Sequence, residues 1–126
     1  MAMTVERLAE FGAAWQDKDL DRLMDLMTDD CVFRSSVGPE PGATFRGRAE
    51  VRRGFALMLA YDEGSESHEG ISFVAGDRGA VQWSYTRTDE DGRVHRLDGC
   101  DLFEFDGDRI RVKDAYRKVL GDIGHA

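Results

Sequence analysis

The feature that most constrains the fold is a tight acidic turn, Asp106-Gly107-Asp108, between two segments whose apolar residues recur at every second position. Cys100-Asp101-Leu102-Phe103-Glu104-Phe105 runs into the turn, and Ile110-Arg111-Val112-Lys113-Asp114-Ala115-Tyr116-Arg117 runs out of it. Side chains alternate between faces along a strand, so this period marks a β-hairpin. Pairing Phe105 with Ile110 sets Phe103 opposite Val112, Asp101 opposite Asp114 and Gly99 opposite Tyr116. The other face then matches Glu104 with Arg111 and Asp98 with Arg117, so one face is apolar and the other complementary in charge. Two carboxylates are left side by side in the apolar face. This register predicts that Asp101 and Asp114 lie within about 6 Å of one another and titrate as a coupled pair, one of them well above the roughly 3.9 of a free Asp. Such a pair is a candidate for proton transfer. The competing reading is structural: each Asp caps a loop or accepts from a Tyr hydroxyl or a Trp N–H.

Before the hairpin the periodicity is different. Thr4 is placed to cap a helix carrying Leu8, Phe11 and Trp15 on one face, with Glu6 in its first turn. Asp19 is placed to cap a second, with Leu20, Leu23, Met24 and Met27 buried and Thr28-Asp29-Asp30 ending it. Cys31 to Ser36 reads as a short strand. A loop from Val37 to Phe45 holds both prolines, and Gly47 opens a third helix with Val51, Phe55, Met58 and Leu59 as its stripe. From about Ser67 the period becomes two: Ile71-Ser72-Phe73, then Val81, Trp83 and Tyr85, then past Glu90-Asp91-Gly92 into the last two strands, which end near Val119 ahead of a tail over 121–126. Helices followed by a four-strand meander predict an α+β architecture, with helices on one face of a curved antiparallel sheet.

At 126 residues the chain suits one domain, 1–126, large enough to enclose a core and a pocket. Acidic residues outnumber basic ones 25 to 17, a formal charge of −8, and the basic residues are scattered. Nucleic acid and anionic membrane are therefore not expected partners, since both are bound by clustered Lys and Arg. No apolar run approaches a membrane span, and the N-terminus lacks the basic and apolar regions of a signal peptide, so the expected location is cytoplasmic. Cys31 and Cys100 are then expected as reduced thiols, and no Cys or His spacing suggests a metal site. Among the histidines, His68 reads as a surface residue near a strand start, His95 stands about 20 Å of strand from Asp101, and His125 is in the tail.

The chain resembles the NTF2-like superfamily, and within it the SnoaL-like and ketosteroid-isomerase-like proteins. The carriers are Phe11-Gly12-Ala13-Ala14-Trp15 with Asp19-Leu20-Asp21-Arg22-Leu23, then Asp29-Asp30-Cys31-Val32-Phe33, then Phe45-Arg46-Gly47-Arg48-Ala49-Glu50-Val51. Asp101-Leu102-Phe103-Glu104-Phe105, the acidic-Gly turn, Arg109-Ile110 and Tyr116 close the pattern. The resemblance implies a cone-shaped barrel: three N-terminal helices packed on a strongly curved, mainly antiparallel sheet around a blind apolar pocket, with the outer sheet face forming a homodimer. It does not fix the chemistry, because the fold hosts isomerases, cyclases, dehydratases, epoxide hydrolases and non-catalytic proteins. The limonene-epoxide-hydrolase triad is not reproduced, since Tyr85, Arg87 and Ala115 stand where that branch carries its Arg and two Asp. Many relatives put a pocket Asp at the Ala115 position, whereas this chain has Asp114 one residue early; a β-bulge would shift the direction of either.

The expected pocket has Phe11, Trp15, Phe55 and Leu59 on the helical side, facing Phe33, Ser35, Trp83 and Phe103 from the sheet. Its chemistry is assigned to Asp101, Asp114, Tyr85 and Tyr116, as base, acid and enolate donors. The expected function is a cofactor-free isomerase, cyclase or dehydratase acting on a small hydrophobic carbonyl, polyketide-like or terpenoid-like molecule. The alternative is a ligand-binding or dimerisation module without catalysis. The loop from Val37 to Phe45 is expected to act as a mobile lid at the pocket mouth.

Overall fold

The structure is a computed structural model that describes residues 1–121 and 123–124. The expected tail therefore lies in part, with His125, outside the described residues. Two helices begin as their capping residues dictate. Thr4 accepts from the Arg7 amide at 3.0 Å to start α1 (Val5–Gln16), which buries Leu8, Phe11 and Ala14. Asp19 accepts from the Arg22 amide at 3.2 Å to start α2 (Leu20–Asp25). The third helix, α3 (Arg48–Tyr61), has no side-chain cap and begins at Gly47, whose φ of 83° suits glycine. The Gly47 amide donates to the Cys31 carbonyl at 2.8 Å, tying the start of α3 to the sheet.

The sheet has six strands: β1 (Met27–Arg34), β2 (Thr44–Arg46), β3 (Glu66–Ala75), β4 (Arg78–Thr88), β5 (Val94–Asp106) and β6 (Arg109–Arg117). Their order is β2-β1-β6-β5-β4-β3; β1 runs parallel to β6 and every other pairing is antiparallel. The curved sheet stays open, with β2 and β3 as its edges, and the helices cover its inner face. The core between them is aromatic: the Phe55 ring centroid lies 4.9 Å from that of Phe33 and 5.9 Å from that of Phe11, which lies 6.1 Å from that of Phe103. No helix among the described residues is long and apolar enough to cross a membrane.

Three element boundaries differ from the sequence reading. The second helix stops at Asp25, so Met27 is fully buried from β1 and not from a helix face. Part of the expected loop forms β2, a three-residue strand too short to show a period, in which Phe45 is buried. The rest of that loop is closed at its base by Ser35 N–H to the Ala43 carbonyl (2.8 Å) and Ala43 N–H to the Val37 carbonyl (3.0 Å). The last strand ends at Arg117.

The larger correction is to the hairpin register. Phe105 does pair with Ile110, but Glu104 then pairs with Val112, because a β-bulge inserts Arg111. Beyond it Phe103 faces Lys113, Asp101 faces Ala115 and Leu102 faces Asp114. A one-residue slip exchanges the two faces of a strand. Lys113, Ala115 and Arg117 accordingly point inward, while Asp114 and Tyr116 are on the outer face.

Candidate functional site

The register lays out the inner face in rows. Phe33, Lys113 and Phe103 form one; Ala115, Asp101 and Val81 the next; Arg117, Gly99 and Trp83 a third, with Glu69 beyond Trp83 on β3. Between these rows and α1 lies a cavity of about 60 Å³. It opens beside a wider depression of about 300 Å³ that shares Trp15, Gln16, Asp62, Ser67 and Tyr85 with it.

At the floor, Lys113 Nζ donates to Asp101 Oδ1 at 3.3 Å, and the two residues are only 5% and 7% exposed. The ammonium also stands 4.6 Å from the Trp15 ring centroid and 4.9 Å from that of Phe33, a cation–π setting that offsets part of its lost hydration. A buried charge needs such partners, and here each member of the pair supplies the other's.

Nearer the mouth, Arg117 donates from Nε to Ser36 Oγ at 2.8 Å and from Nη2 to Asp62 Oδ2 at 2.6 Å, joining β6 to the end of α3. Its guanidinium carbon lies 5.4 Å from the Trp83 ring centroid and 5.5 Å from that of Tyr85. Gly99 makes the room: a Cβ there would come within 2.3 Å of Trp83 Cη2. Tyr85 accepts from Trp15 Nε1 at 3.1 Å, and its own hydroxyl proton meets no acceptor among the described residues. Burial chiefly, with the charge of Asp62 adding to it, pushes the Tyr85 phenol up to about 12, so at neutral pH it is a donor. Glu69, at the rim, is held above the usual carboxylate range by burial first and by the charge of Asp101 second.

Of the residues expected in the pocket, Phe11, Trp15, Phe33, Trp83, Tyr85, Asp101 and Phe103 line the cavity. Five do not. Asp114 is on the outer face, 3.7 Å from Arg34 Nη1, and accepts from the Tyr116 hydroxyl at 3.3 Å. Tyr116, half exposed there, has its phenol raised mainly by the charge of Asp114. Ser35 is buried, its hydroxyl 3.3 Å from Met58 Sδ and accepting from the Val37 amide, and the lining place falls to Ser36. Phe55 is wholly buried behind Phe11, and Leu59 lines only the outer depression. The expected coupled aspartate pair is thus replaced by an Asp–Lys pair.

The sequence reading missed Lys113, Arg117, Asp62 and Glu69. One signal was available for the first two: relatives keep their pocket Asp at the Ala115 position, and strand alternation from an inward Ala115 turns positions 113 and 117 inward too. Among the described residues no group of three or more His, Cys, Asp or Glu side chains is placed to hold a metal ion. Cys31 and Cys100 are free thiols.

A family model described as the SnoaL-like domain matches residues 5–113. No curated protein matches the sequence. Among solved structures, an NTF2-like protein of unknown function from Mesorhizobium loti is 27% identical, with a TM-score of 0.73 over 90% of this chain and 89% of that one. A putative polyketide cyclase from Pseudomonas putida is 16% identical, with a TM-score of 0.69 over 94% of both chains. A hypothetical protein with a ketosteroid isomerase-like fold from Catenulispora acidiphila, in complex with trimethylamine, is 20% identical, with a TM-score of 0.69 over 90% of this chain and 86% of that one. The last two likenesses are of fold alone.

Proposed function

The chain belongs to the SnoaL-like family of the NTF2-like superfamily, and on that premise we propose that it is a cofactor-independent acid/base enzyme for a small hydrophobic carbonyl compound, polyketide-like or terpenoid-like. The observation that carries the reading is a carboxylate, Asp101, that is buried yet lines an aromatic cavity beside the Lys113 ammonium, with the Tyr85 hydroxyl lining the same cavity. In the proposed reaction Asp101 removes a proton α to the carbonyl. As it becomes neutral, its claim on Lys113 falls away, and the ammonium is left to balance the negative charge on the enolate oxygen. Tyr85 donates its unengaged proton to the same oxygen, with Trp15 Nε1 holding the phenol in place. Donors fixed in advance of the charge they meet are the main source of stabilisation in such sites. The aromatic walls suit a flat, apolar substrate. The fold shared with a putative polyketide cyclase agrees with that class.

The test is exchange of α-hydrogens of cyclohex-3-enone for deuterium in heavy water, followed by NMR. Wild-type protein is expected to accelerate it, and D101N to lower the rate by about 10²-fold or more. Because D101N strands a buried cation, the double variant D101N/K113M serves as the folded control, expected to be equally slow. Exchange that survives in both would exclude Asp101 as the base. A second reading, a binding module without turnover, draws on the fact that Asp101 already has a full counter-charge. It predicts that ketones bind and protect the protein thermally with no exchange at all.

A further inference from the structure

Among the described residues the buried polar side chains are Thr28, Ser35, Asp101 and Lys113, and only the last two are charged. Stability does not account for that pair, because apolar side chains of similar volume often match or better a buried ion pair. Nor does the composition of the chain account for the choice of cation. Fourteen of its 17 basic residues are Arg and three are Lys. Lys18 and Lys118 are exposed, and Lys113 alone is buried. A guanidinium keeps its proton and acts as a charge, whereas an ammonium that gives up one proton becomes a nucleophile. The surroundings suit that change. Nζ has one hydrogen-bond partner among the described residues, Asp101 Oδ1 at 3.3 Å, and otherwise stands over the rings of Trp15 and Phe33. Transfer of one proton along that bond turns ammonium and carboxylate into amine and acid, so no charge is left uncompensated in the apolar floor. Lys113 also lines the cavity, which puts the amine within reach of what enters.

We propose that Lys113 is a Schiff-base residue whose amine condenses with aldehydes and unhindered ketones that enter the cavity, aromatic ones above all, while Asp101 carries the protons. The proposal goes beyond the acid/base reading and does not depend on Asp101 attacking carbon. Asp101 first takes a proton from the ammonium. The nitrogen lone pair then forms a bond to the carbonyl carbon, and the carbonyl π pair moves onto oxygen, which receives the proton from Asp101. The new N–H proton returns to Asp101, leaving a neutral carbinolamine. Asp101 gives that proton to the hydroxyl group, the C–O bond breaks, water leaves, and the nitrogen lone pair closes the C=N bond. The product is an iminium cation beside the Asp101 carboxylate. One buried cation has replaced another, so the floor has the same charges at the end as at the start. The aromatic walls and the wider depression beyond Trp15 and Tyr85 leave a place for a flat ring attached to the carbonyl.

The experiment incubates the protein with benzaldehyde and sodium cyanoborohydride, whose hydride reduces an imine to a stable benzylamine, and locates the adduct by peptide mass spectrometry. Benzaldehyde has no α-hydrogen, so the adduct reports the amine alone. The same reaction in concentrated urea gives the ratio of labelling at Lys113 to labelling at Lys118 in the unfolded chain. Folding is expected to raise that ratio by about 10-fold or more, since the cavity brings carbonyl and amine together. An ammonium with a purely structural role would be shielded by its burial, and folding would lower the ratio. D101N/K113M is expected to lose the adduct of the folded state while Lys118 is labelled as before. A ratio in the folded protein equal to or below that of the unfolded chain overturns the proposal, and so does a folded D101N/K113M that gains the same mass as wild type. An adduct at Lys113 without deuterium exchange in cyclohex-3-enone upholds the Schiff base and overturns the acid/base reading. Exchange without the adduct does the reverse.

Discussion

Lys113 and Asp101 act as each other's solvent, and this decides how substitutions at the cavity floor behave. Two adjacent carboxylates would gain from losing one charge, whereas a buried Asp–Lys pair loses. D101N and K113M are each expected to destabilise by about 3–5 kcal/mol, and D101N/K113M to recover most of that, as a double-mutant cycle in urea would measure. Loss of stability in the single variants therefore says nothing about catalysis. Tyr85 gives a pH signature at the same scale. Its phenol is raised from 10 in the unfolded chain to about 12 in the folded one, so its contribution to stability is complete below pH 10 and disappears as pH rises towards 12. Y85F should flatten the stability profile across that alkaline window, as thermal melts at stepped pH would show. Asp101 was legible in the sequence because a carboxylate on an apolar face stands out. Lys113 was not, because its neighbour Asp114 offered a more conspicuous match.

At the scale of elements, the helices were read nearly as they form, since Thr4 and Asp19 announce their starts and the 3.6-residue stripes are unbroken. The β5–β6 register was not, and the reason lies in the criterion used. Running without a bulge from the Phe105–Ile110 pair sets Glu104 opposite Arg111, and the two side chains do form an ion pair. Yet the strand partner of Glu104 is Val112, with Arg111 reaching it from the bulge. Long charged side chains satisfy either register, so charge complementarity cannot sense a bulge. The second charge pair of that register failed outright: Arg117 turned inward to Asp62, and Asp98 pairs with Arg96 Nε at 2.7 Å. The helix α1 carries its own prediction. G12A should raise stability by about 0.5–1 kcal/mol through helix propensity, measurable by urea denaturation, because the three nearest atoms it meets all belong to the far end of the long Glu69 side chain. G99A should do the opposite, since its Cβ would stand 2.3 Å from both the Trp83 ring and the Tyr116 carbonyl oxygen. A loss of about 1–3 kcal/mol is expected from overpacking.

At the scale of the whole molecule, no element among the described residues covers the outer sheet face. Ala115 and Arg117 face the cavity, and Phe73, Leu102 and Tyr116, each about half exposed, form an outer patch with Cys100. We propose that a second copy of the chain covers this face, with Glu104, Asp114 and Arg34 at its rim, a layout suited to an interface. Light scattering at micromolar concentration should give twice the 14.1 kDa chain mass, and L102R should return it to one. The parallel pairing of β1 with β6 has a consequence in time as well as in space. Strands β3 to β6 are joined in sequence by short turns, but Met27 must find Ile110 across most of the chain. Contacts between distant positions pay loop-closure entropy before they return anything, so the meander should organise first and β1 should dock last. In stopped-flow experiments V81A should slow refolding, while M27A should leave refolding nearly alone and hasten unfolding. Until that docking, Lys113 has Asp101 beside it but not Phe33, and the cavity floor is finished by the slowest event in the molecule's assembly.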